Sequence, residues 1–297
     1  MNLKEIQQTL ATLSQENPFT YEHFAKQPEY VRVNRALVQR LFLLLPDNFF
    51  HVDVATGTGL VPKLLIEEAR GNNHAERIIG VDPNSTSLEI AKRTTPKIGG
   101  ITVDYLEGTG QDLQQLLLGR IPQDGVDSVS IHDALHEIRS KEDKIKVVQN
   151  MADILKLKGI FSFNSAFTTE AVKVDARGWA GWKIRAMEIL GGKRDKQAET
   201  MPIYTPAEYK EIMQNAGLSI IHETQERVML SKDALEAISM YPAFIRGVFE
   251  DMKGHEDISE EYKSGALKQA LDDRNIIELP RVWYEVVAQK LPSPLAT

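Results

Sequence analysis

The sequence predicts an α/β protein: a doubly wound, mostly parallel sheet of seven strands, with helices ahead of it and helical insertions late in the chain. Three observations carry that prediction. Short β-branched and apolar runs alternate with stretches of helical periodicity over residues 50–225, the pattern of strands joined by right-handed helical crossovers. One stretch, His51-Val-Asp-Val-Ala-Thr-Gly-Thr-Gly-Leu60, reads as a strand, a tight turn and a helix start. Acids then stand at or just past the ends of successive strands, at Asp53, Asp82 and Asp112.

Composition sets the outer bounds. A chain of 297 residues, 42% hydrophobic and 26% charged, has the makeup of an ordinary globular protein with one large core or a core and an appended cap. The net charge of −7, without any basic block, argues against a nucleic-acid groove. With no cysteine, disulfides, thiolate metal sites and a cysteine nucleophile are excluded. The opening Met1-Asn-Leu-Lys-Glu-Ile is polar and lacks a signal peptide's apolar core, and no apolar run reaches the ~20 residues that span a bilayer. The expectation is a cytoplasmic protein without membrane partners.

The elements follow in order. Residues 2–14 predict a short helix with Leu3, Ile6, Leu10 and Leu13 on one face, broken by Pro18. A second helix, about Glu29–Leu45, carries Val33, Leu37, Leu41 and Leu44 inward and stops at Pro46. Phe19, Tyr21, Phe24 and Tyr30 follow Pro18 in quick succession, rings that cover the sheet edge or form a lid; residues 1–46 are taken as a helical lid segment ahead of a domain at 47–297. The opening strand leads through glycines 57 and 59 into a helix, Val61–Arg70. Glycine there lets the backbone take positive φ and lets a ligand approach the main chain, while the helix start offers unpaired N–H groups. Pro62 stands where the dinucleotide fingerprint needs its third glycine, and no lysine follows to make a P-loop.

The second strand, Glu76–Val81, ends in Asp82, ahead of a helix at Ser87–Arg93. An acid at that place grips ribose hydroxyls or caps the helix. The third, Ile101–Glu107, runs into Gly108-Thr-Gly-Gln-Asp112-Leu113, where Asp112 either accepts from an exocyclic amine or caps the helix that runs to Leu118. The fourth, Gly125–Ile131, delivers His132, Asp133, His136 and Glu137 before a helix at Ser140–Leu155. No His-Glu-x-x-His is present, so no metal is expected. The fifth, Lys158–Ser165, precedes Ala166–Met201, which is too long for a plain connection and predicts a helical insertion with Trp179, Trp182, Lys183 and Arg185. Thr205-Pro-Ala-Glu opens a capped helix to Gly217, then a sixth strand, Leu218–Glu223. Residues 232–275 read as charged helix with Leu235, Ile238, Phe244 and Ile245 inward, and Val282–Ala288 is the last strand. The insertions, about 166–203 and 232–279, are candidates for a lid, a homodimer surface or both.

Together these motifs resemble the class I S-adenosylmethionine-dependent methyltransferases, over roughly residues 50–225. Asp53-Val-Ala-Thr-Gly-Thr-Gly59 is similar to that family's first motif, with Ala55 in place of its first glycine. Gly80-Val-Asp82 resembles the second, Gly110-Gln-Asp112-Leu113 the third, and Leu135-His136-Glu137-Ile138 the turn after strand four. Ile154–Phe161 resembles the segment usually written Lys-Pro-Gly-Gly, with Leu157-Lys158 replacing Pro-Gly, and Tyr204–Leu218 the helix and turn before strand six. The resemblance implies a Rossmann-like fold and S-adenosylmethionine as cofactor, with S-adenosylhomocysteine as product. It implies cofactor contacts from Asp53, Ala55, Thr56, Gly57, Thr58, Gly59, Asp82, Pro83, Asp112, Leu113 and His132.

Methyl transfer from a sulfonium is an in-line displacement whose leaving thioether needs no acid, so alignment and water exclusion dominate. A hydroxyl or acidic carbon acceptor gains from a base; His136 is the first choice and His132 the second. Tyr21, Phe24, Tyr30, Trp179, Trp182 and Arg185 are expected to shape the pocket of a small organic acceptor, with O-methylation favoured over C- or N-methylation. The alternatives are an NAD(P)-linked oxidoreductase on a related sheet and a non-catalytic cofactor-binding relative. A nucleic-acid methyltransferase is disfavoured by charge and by His132-Asp-Ala-Leu, which replaces an Asn/Asp-Pro-Pro-Tyr/Phe signature.

Overall fold

The strands of the computed structural model, which describes residues 19–70 and 76–292, are β1 Phe50–Val54, β2 Arg77–Asp82, β3 Thr102–Glu107, β4 Val126–His132, β5 Leu155–Ser165, β6 Leu218–Ser231 and β7 Glu278–Lys290. They form one sheet in the order β3-β2-β1-β4-β5-β7-β6. β1 to β5 pair in parallel and β7 runs antiparallel to β5. The expected doubly wound seven-stranded sheet is present. The strand order reverses between β1 and β4, and open α/β sheets bind ligands at the carboxyl ends beside such a switch point. The helix expected at 2–14 lies outside the described residues.

The described residues divide into two compact units. The larger takes in, among the described residues, 28–70, 76–176, Met201–Met229 and 280–292, and strand alternation gives its sheet two different faces. Val52, Val54, Ile79, Val81, Val129, Ile131, Phe161 and Phe163 point to one side, where they pack with Val147, Met151, Tyr209 and Met213 of the helices Lys141–Asp153 and Pro206–Asn215. The first of these helices is capped by Ser140, which accepts from Asp143 N–H, and carries Glu142 and Asp143 in its first turn; both features suit a helix N-terminus. The second has the full capping box of Thr205 and Glu208. The opposite face is polar at its centre, with His51, Asp53, Ser128, Ser130, His132, Ser162 and Asn164 all buried.

Three boundaries differ from the sequence reading. The helix Pro28–Phe42 stops before Leu44, which is exposed, because Pro46 disfavours helical geometry at the residue before it and cannot donate to the ladder. β5 begins at Leu155, with a register shift beside β4 between Val126 and Ser128. β6 continues past Glu223 to Ser231 as an edge strand with alternating exposed and half-buried residues, Gln225 and Arg227 facing solvent.

The smaller unit takes in residues 19–27, Arg177–Thr200 and Leu230–Leu279 among those described, and its elements are mainly helices, Glu22–Ala25, Ala176–Ile189, Lys232–Ile238, Pro242–Phe249 and Glu260–Asp273. Trp182 is its centre: fully buried, it donates Nε1–H to Leu267 O at 2.8 Å and packs on Phe244 and Trp179. No helix among the described residues is long and apolar enough to cross a membrane.

Candidate functional site

The site grows from the β1 turn. Ala55 sits at φ +55, Gly57 at +53 and Gly59 at +81, so the chain folds back on itself before the helix Leu60–Ala69 begins. Ala55 therefore occupies left-handed space that costs a non-glycine residue about 1–2 kcal/mol, which explains why a glycine suits this position in the family. A Cβ added at Gly57 would meet nothing within 4 Å: the main chain there borders open space. Gly59 and Gly80 have a different role. Added Cβ atoms would lie 2.6 Å from the Tyr105 hydroxyl and 2.7 Å from its ring, since Tyr105 pairs across from Gly80 in β3 and its ring fills the space both glycines leave.

Asp82, at the end of β2, braces this turn. Its two oxygens accept from Gly57 N–H and Asn84 N–H, each at 2.8 Å. The helix cap is Asn84, which accepts from Ser87 N–H, so Asp82 does not cap. Burial raises the Asp82 carboxyl while its two backbone hydrogen bonds pull it down. Asp112 does not cap either; its carboxylate takes the Thr109 hydroxyl at 2.9 Å, and Leu113 beneath it is core. Pro83 is exposed beside Asp82.

Asp53 is buried on the polar face. Ser130 donates to its Oδ1 at 2.5 Å, and the buried Thr56 hydroxyl beside it has no well-aligned partner. Burial raises the Asp53 carboxyl to about 7, against the hydrogen bonds from Ser130 and Thr56 and with help from the Asp82 charge. Thr58 is also buried.

The β4 and β5 ends complete the cluster. His132 has both ring nitrogens engaged, Nδ1 with Asn34 Oδ1 at 3.0 Å and Nε2 with Ser162 Oγ at 2.9 Å. Asn34 commits its own Nδ2 to Tyr30 O, so His132 Nδ1 is the donor of that pair. Burial holds the ring near 3, neutral at all ordinary pH. Asp133 takes φ +51 and accepts Ala166 N–H at 2.9 Å, tying the two strand ends together.

His136 is half-buried. Its ring stacks on Phe167 at 4.5 Å, and the Arg281 guanidinium lies 4.5 Å from the same phenyl ring. Nδ1 meets Ser165 Oγ at 3.3 Å, while Nε2 has no hydrogen-bond partner among the described residues. Burial, then the charges of Arg281 and Lys144, lower it to about 3. Lys144 holds this turn from below, donating to the carbonyls of His136 and Ile138 with its ammonium 5.1 Å from the Tyr204 ring centre. No group of three His, Asp or Glu among the described residues has metal-site geometry.

The structure thus brings Asp53, Ala55–Gly59, Asp82, His132 and His136 together at the switch point in the larger unit. The residues expected at the acceptor pocket fall in both units. Tyr30 is buried against Trp283. Tyr21, Phe24, Trp179, Trp182 and Arg185 belong to the smaller unit; there Trp182 is core, and the Arg185 guanidinium is engaged by Asp273 and Glu188. Sequence reasoning missed Tyr105, Arg281, Lys144 and the row His51, Ser128, Ser130. The alternation of polar residues in β1, β4 and β5 carried a signal for that row; nothing local marked Arg281.

These features define a class: a Rossmann-like sheet with a glycine turn after β1, an acid closing β2 and a polar turn after β4. Residues 52–159, from β1 into β5, match the family model described as a methyltransferase domain. Solved structures share the fold. A Bacillus halodurans protein described as a methyltransferase is 14% identical, with 86% of this chain and 99% of that one covered and a TM-score of 0.55. The YcgJ protein of Bacillus subtilis gives 14%, 87%, 99% and 0.52, and a cyclopropane synthase of Mycobacterium tuberculosis 12%, 85%, 83% and 0.50. No curated protein sequence matches the chain. Residues 52–159 thus match a methyltransferase domain on a fold shared with these structures, and the resemblance to the class I S-adenosylmethionine-dependent methyltransferases implies S-adenosylmethionine as methyl donor.

The residues present fit that methyl donor. Gly57 leaves main chain open, Thr56 keeps a buried hydroxyl without an aligned partner, and Asp82 has oxygen lone pairs beyond its two backbone bonds. The donor supplies an electrophilic methyl when bound; the turn and the two acids are what this chain offers to hold it.

Proposed function

We propose that the protein transfers a methyl group from S-adenosylmethionine to a small organic acceptor, with oxygen favoured over carbon or nitrogen as the receiving atom. The observation that carries the reading is the brace of Asp82 on Gly57, which sets the glycine turn beside two acids at the switch point. Asp82 takes the ribose hydroxyls, the turn Ala55–Gly59 lies along the methionine part, and Asp112 and Leu113 border the adenine.

His136 is the base where the acceptor has a proton to lose. Its Nε2 is open; burial and the Arg281 and Lys144 charges keep the ring neutral but only weakly basic, so the role suits an acidic acceptor whose own negative charge offsets those cations. His132 has no free nitrogen and holds the end of β4 in place. Phe167, in contact with both His136 and Arg281, fixes the orientation of the His136 ring.

Calorimetric titration with S-adenosylmethionine and S-adenosylhomocysteine tests the first half. Binding that weakens at least tenfold in Asp82→Ala supports it, and absence of binding to both ligands overturns it. An acceptor screen follows, with His136→Ala expected to lower kcat and leave the cofactor Kd unchanged.

A further inference from the structure

Behind the proposed cofactor turn, β1 and β4 bury a line of polar side chains that ends at Asp53. Ser128 Oγ lies 2.7 Å from His51 Nδ1, His51 Nε2 lies 2.9 Å from Ser130 Oγ, and Ser130 Oγ lies 2.5 Å from Asp53 Oδ1. All four residues are buried, between 0% and 2% exposed. The register explains the line: His51 pairs with Ser128 and Asp53 with Ser130, on one face of adjacent strands.

We propose that Ser128, His51 and Ser130 are positioning residues that form a reversible hydrogen-bond relay, coupling occupancy of the cofactor turn to the protonation of Asp53. The hydrogens on the chain can be counted. An ionised Asp53 has no hydrogen, so Ser130 donates to it; Ser130 oxygen then accepts, so His51 carries its proton on Nε2; Nδ1 is then an acceptor, and Ser128 donates. A neutral Asp53 that donates to Ser130 reverses every link: Ser130 donates to Nε2, His51 carries its proton on Nδ1, and Nδ1–H donates to Ser128. The first state holds three hydrogens on the chain and the second four, so ionisation sends one proton to solvent and leaves the imidazole neutral in both.

The surroundings set the balance near neutrality. Asp82 on β2 opposes ionisation of Asp53, Tyr105 on β3 feels the Asp53 charge, and His132 on β4 acts with burial to keep His51 neutral, near 3. Lys63 on the following helix donates to Thr58 O. A cationic ligand over the turn favours the ionised state, and the methionine end of the proposed cofactor is cationic. The coupling to the ligand rests on that cofactor reading; the relay does not.

Nitrogen-15 NMR of the His51 ring in the ligand-free wild type, from about pH 5 to 9, tests the relay. The expected result is a neutral ring that moves its proton from Nδ1 to Nε2 at the midpoint where the Asp53 carboxyl carbon titrates. A single tautomer throughout, or an imidazolium at that midpoint, overturns it. In Ser130→Ala the two titrations should separate, with Asp53 moving up; coincident, unshifted titrations overturn it equally. S-adenosylmethionine is then titrated into wild type in two buffers of different ionisation heat. The Kd should rise about tenfold for each pH unit below the Asp53 midpoint, with release of a proton. Buffer-independent heats with a flat Kd refute the coupling. No binding at any pH refutes the cofactor reading and with it the coupling, while the tautomer result still decides the relay.

Discussion

Replacing Asp53 with asparagine keeps the shape of the side chain and removes a charge from a place where charge is costly. Burial raises this carboxyl from 3.8 to about 7, net of the hydrogen bonds from Ser130 and Thr56. A folded-state value above the unfolded one means the folded chain holds a proton that the unfolded chain releases, so wild-type stability from this group falls as pH rises from about 4 to about 7 and stays at the lower level above. The difference between the two values amounts to roughly 4 kcal/mol at pH 8. The amide in Asp53→Asn keeps an acceptor for Ser130 and brings a donor for the Thr56 hydroxyl oxygen beside it, so about 3 kcal/mol should be recovered. The expected result is a Tm about 5–10 °C above wild type at pH 8, shrinking to nothing near pH 4. The same variant should bind S-adenosylmethionine at least tenfold more weakly. Thermal unfolding followed by circular dichroism across that pH range reads the first effect, and calorimetry reads the second. A destabilised variant at pH 8, or a gain that persists at pH 4, would refute the claim that the cost of burying the Asp53 charge outweighs what its hydrogen bonds return.

Three further outcomes are expected. Gly59→Ala puts a Cβ 2.6 Å from the Tyr105 hydroxyl at φ +81 and should cost about 2–4 kcal/mol; a double-mutant cycle with Tyr105→Phe should recover part of it, and strict additivity would count against the steric cause. Ala55→Gly removes left-handed strain at φ +55 and should stabilise by about 0.5–1 kcal/mol after the entropy of glycine is subtracted; a urea midpoint below wild type refutes this. Lys144→Met leaves the His136 and Ile138 carbonyls without their donor and should cost about 1–3 kcal/mol, with kcat falling and cofactor affinity unchanged. A parallel loss of affinity would place Lys144 in the cofactor site instead.

The part of this molecule that was legible in the sequence is the part governed by local rules. Strand and helix periods, the glycine turn, the acids at strand ends and the Thr205–Glu208 capping box all depend on residues within a few positions of one another, and each appears in the structure. What stayed hidden depends on register. Tyr105 matters because it falls opposite Gly80, and no feature of either strand alone announces that pairing. Arg281 reaches the ring that His136 stacks on only because β7 enters the sheet antiparallel beside β5.

The His51 row shows how such information is nonetheless present in diluted form. His51 and Asp53 alternate in β1, Ser128, Ser130 and His132 in β4, and Ser162 and Asn164 in β5. Taken one at a time, these residues read as ordinary turn neighbours or satisfied core polar groups. Their common parity becomes meaningful once the order β1-β4-β5 is known. Three adjacent strands then present polar side chains to one face. Asn34 of the helix Pro28–Phe42 meets them through His132 and Asn164. A buried polar layer of this kind is stable only when its members satisfy one another, which makes its hydrogen count a constraint on chemistry. Asp53 belongs to that layer as much as to the glycine turn after β1, and this shared membership is what the proposed relay uses to link the turn to protonation within the sheet.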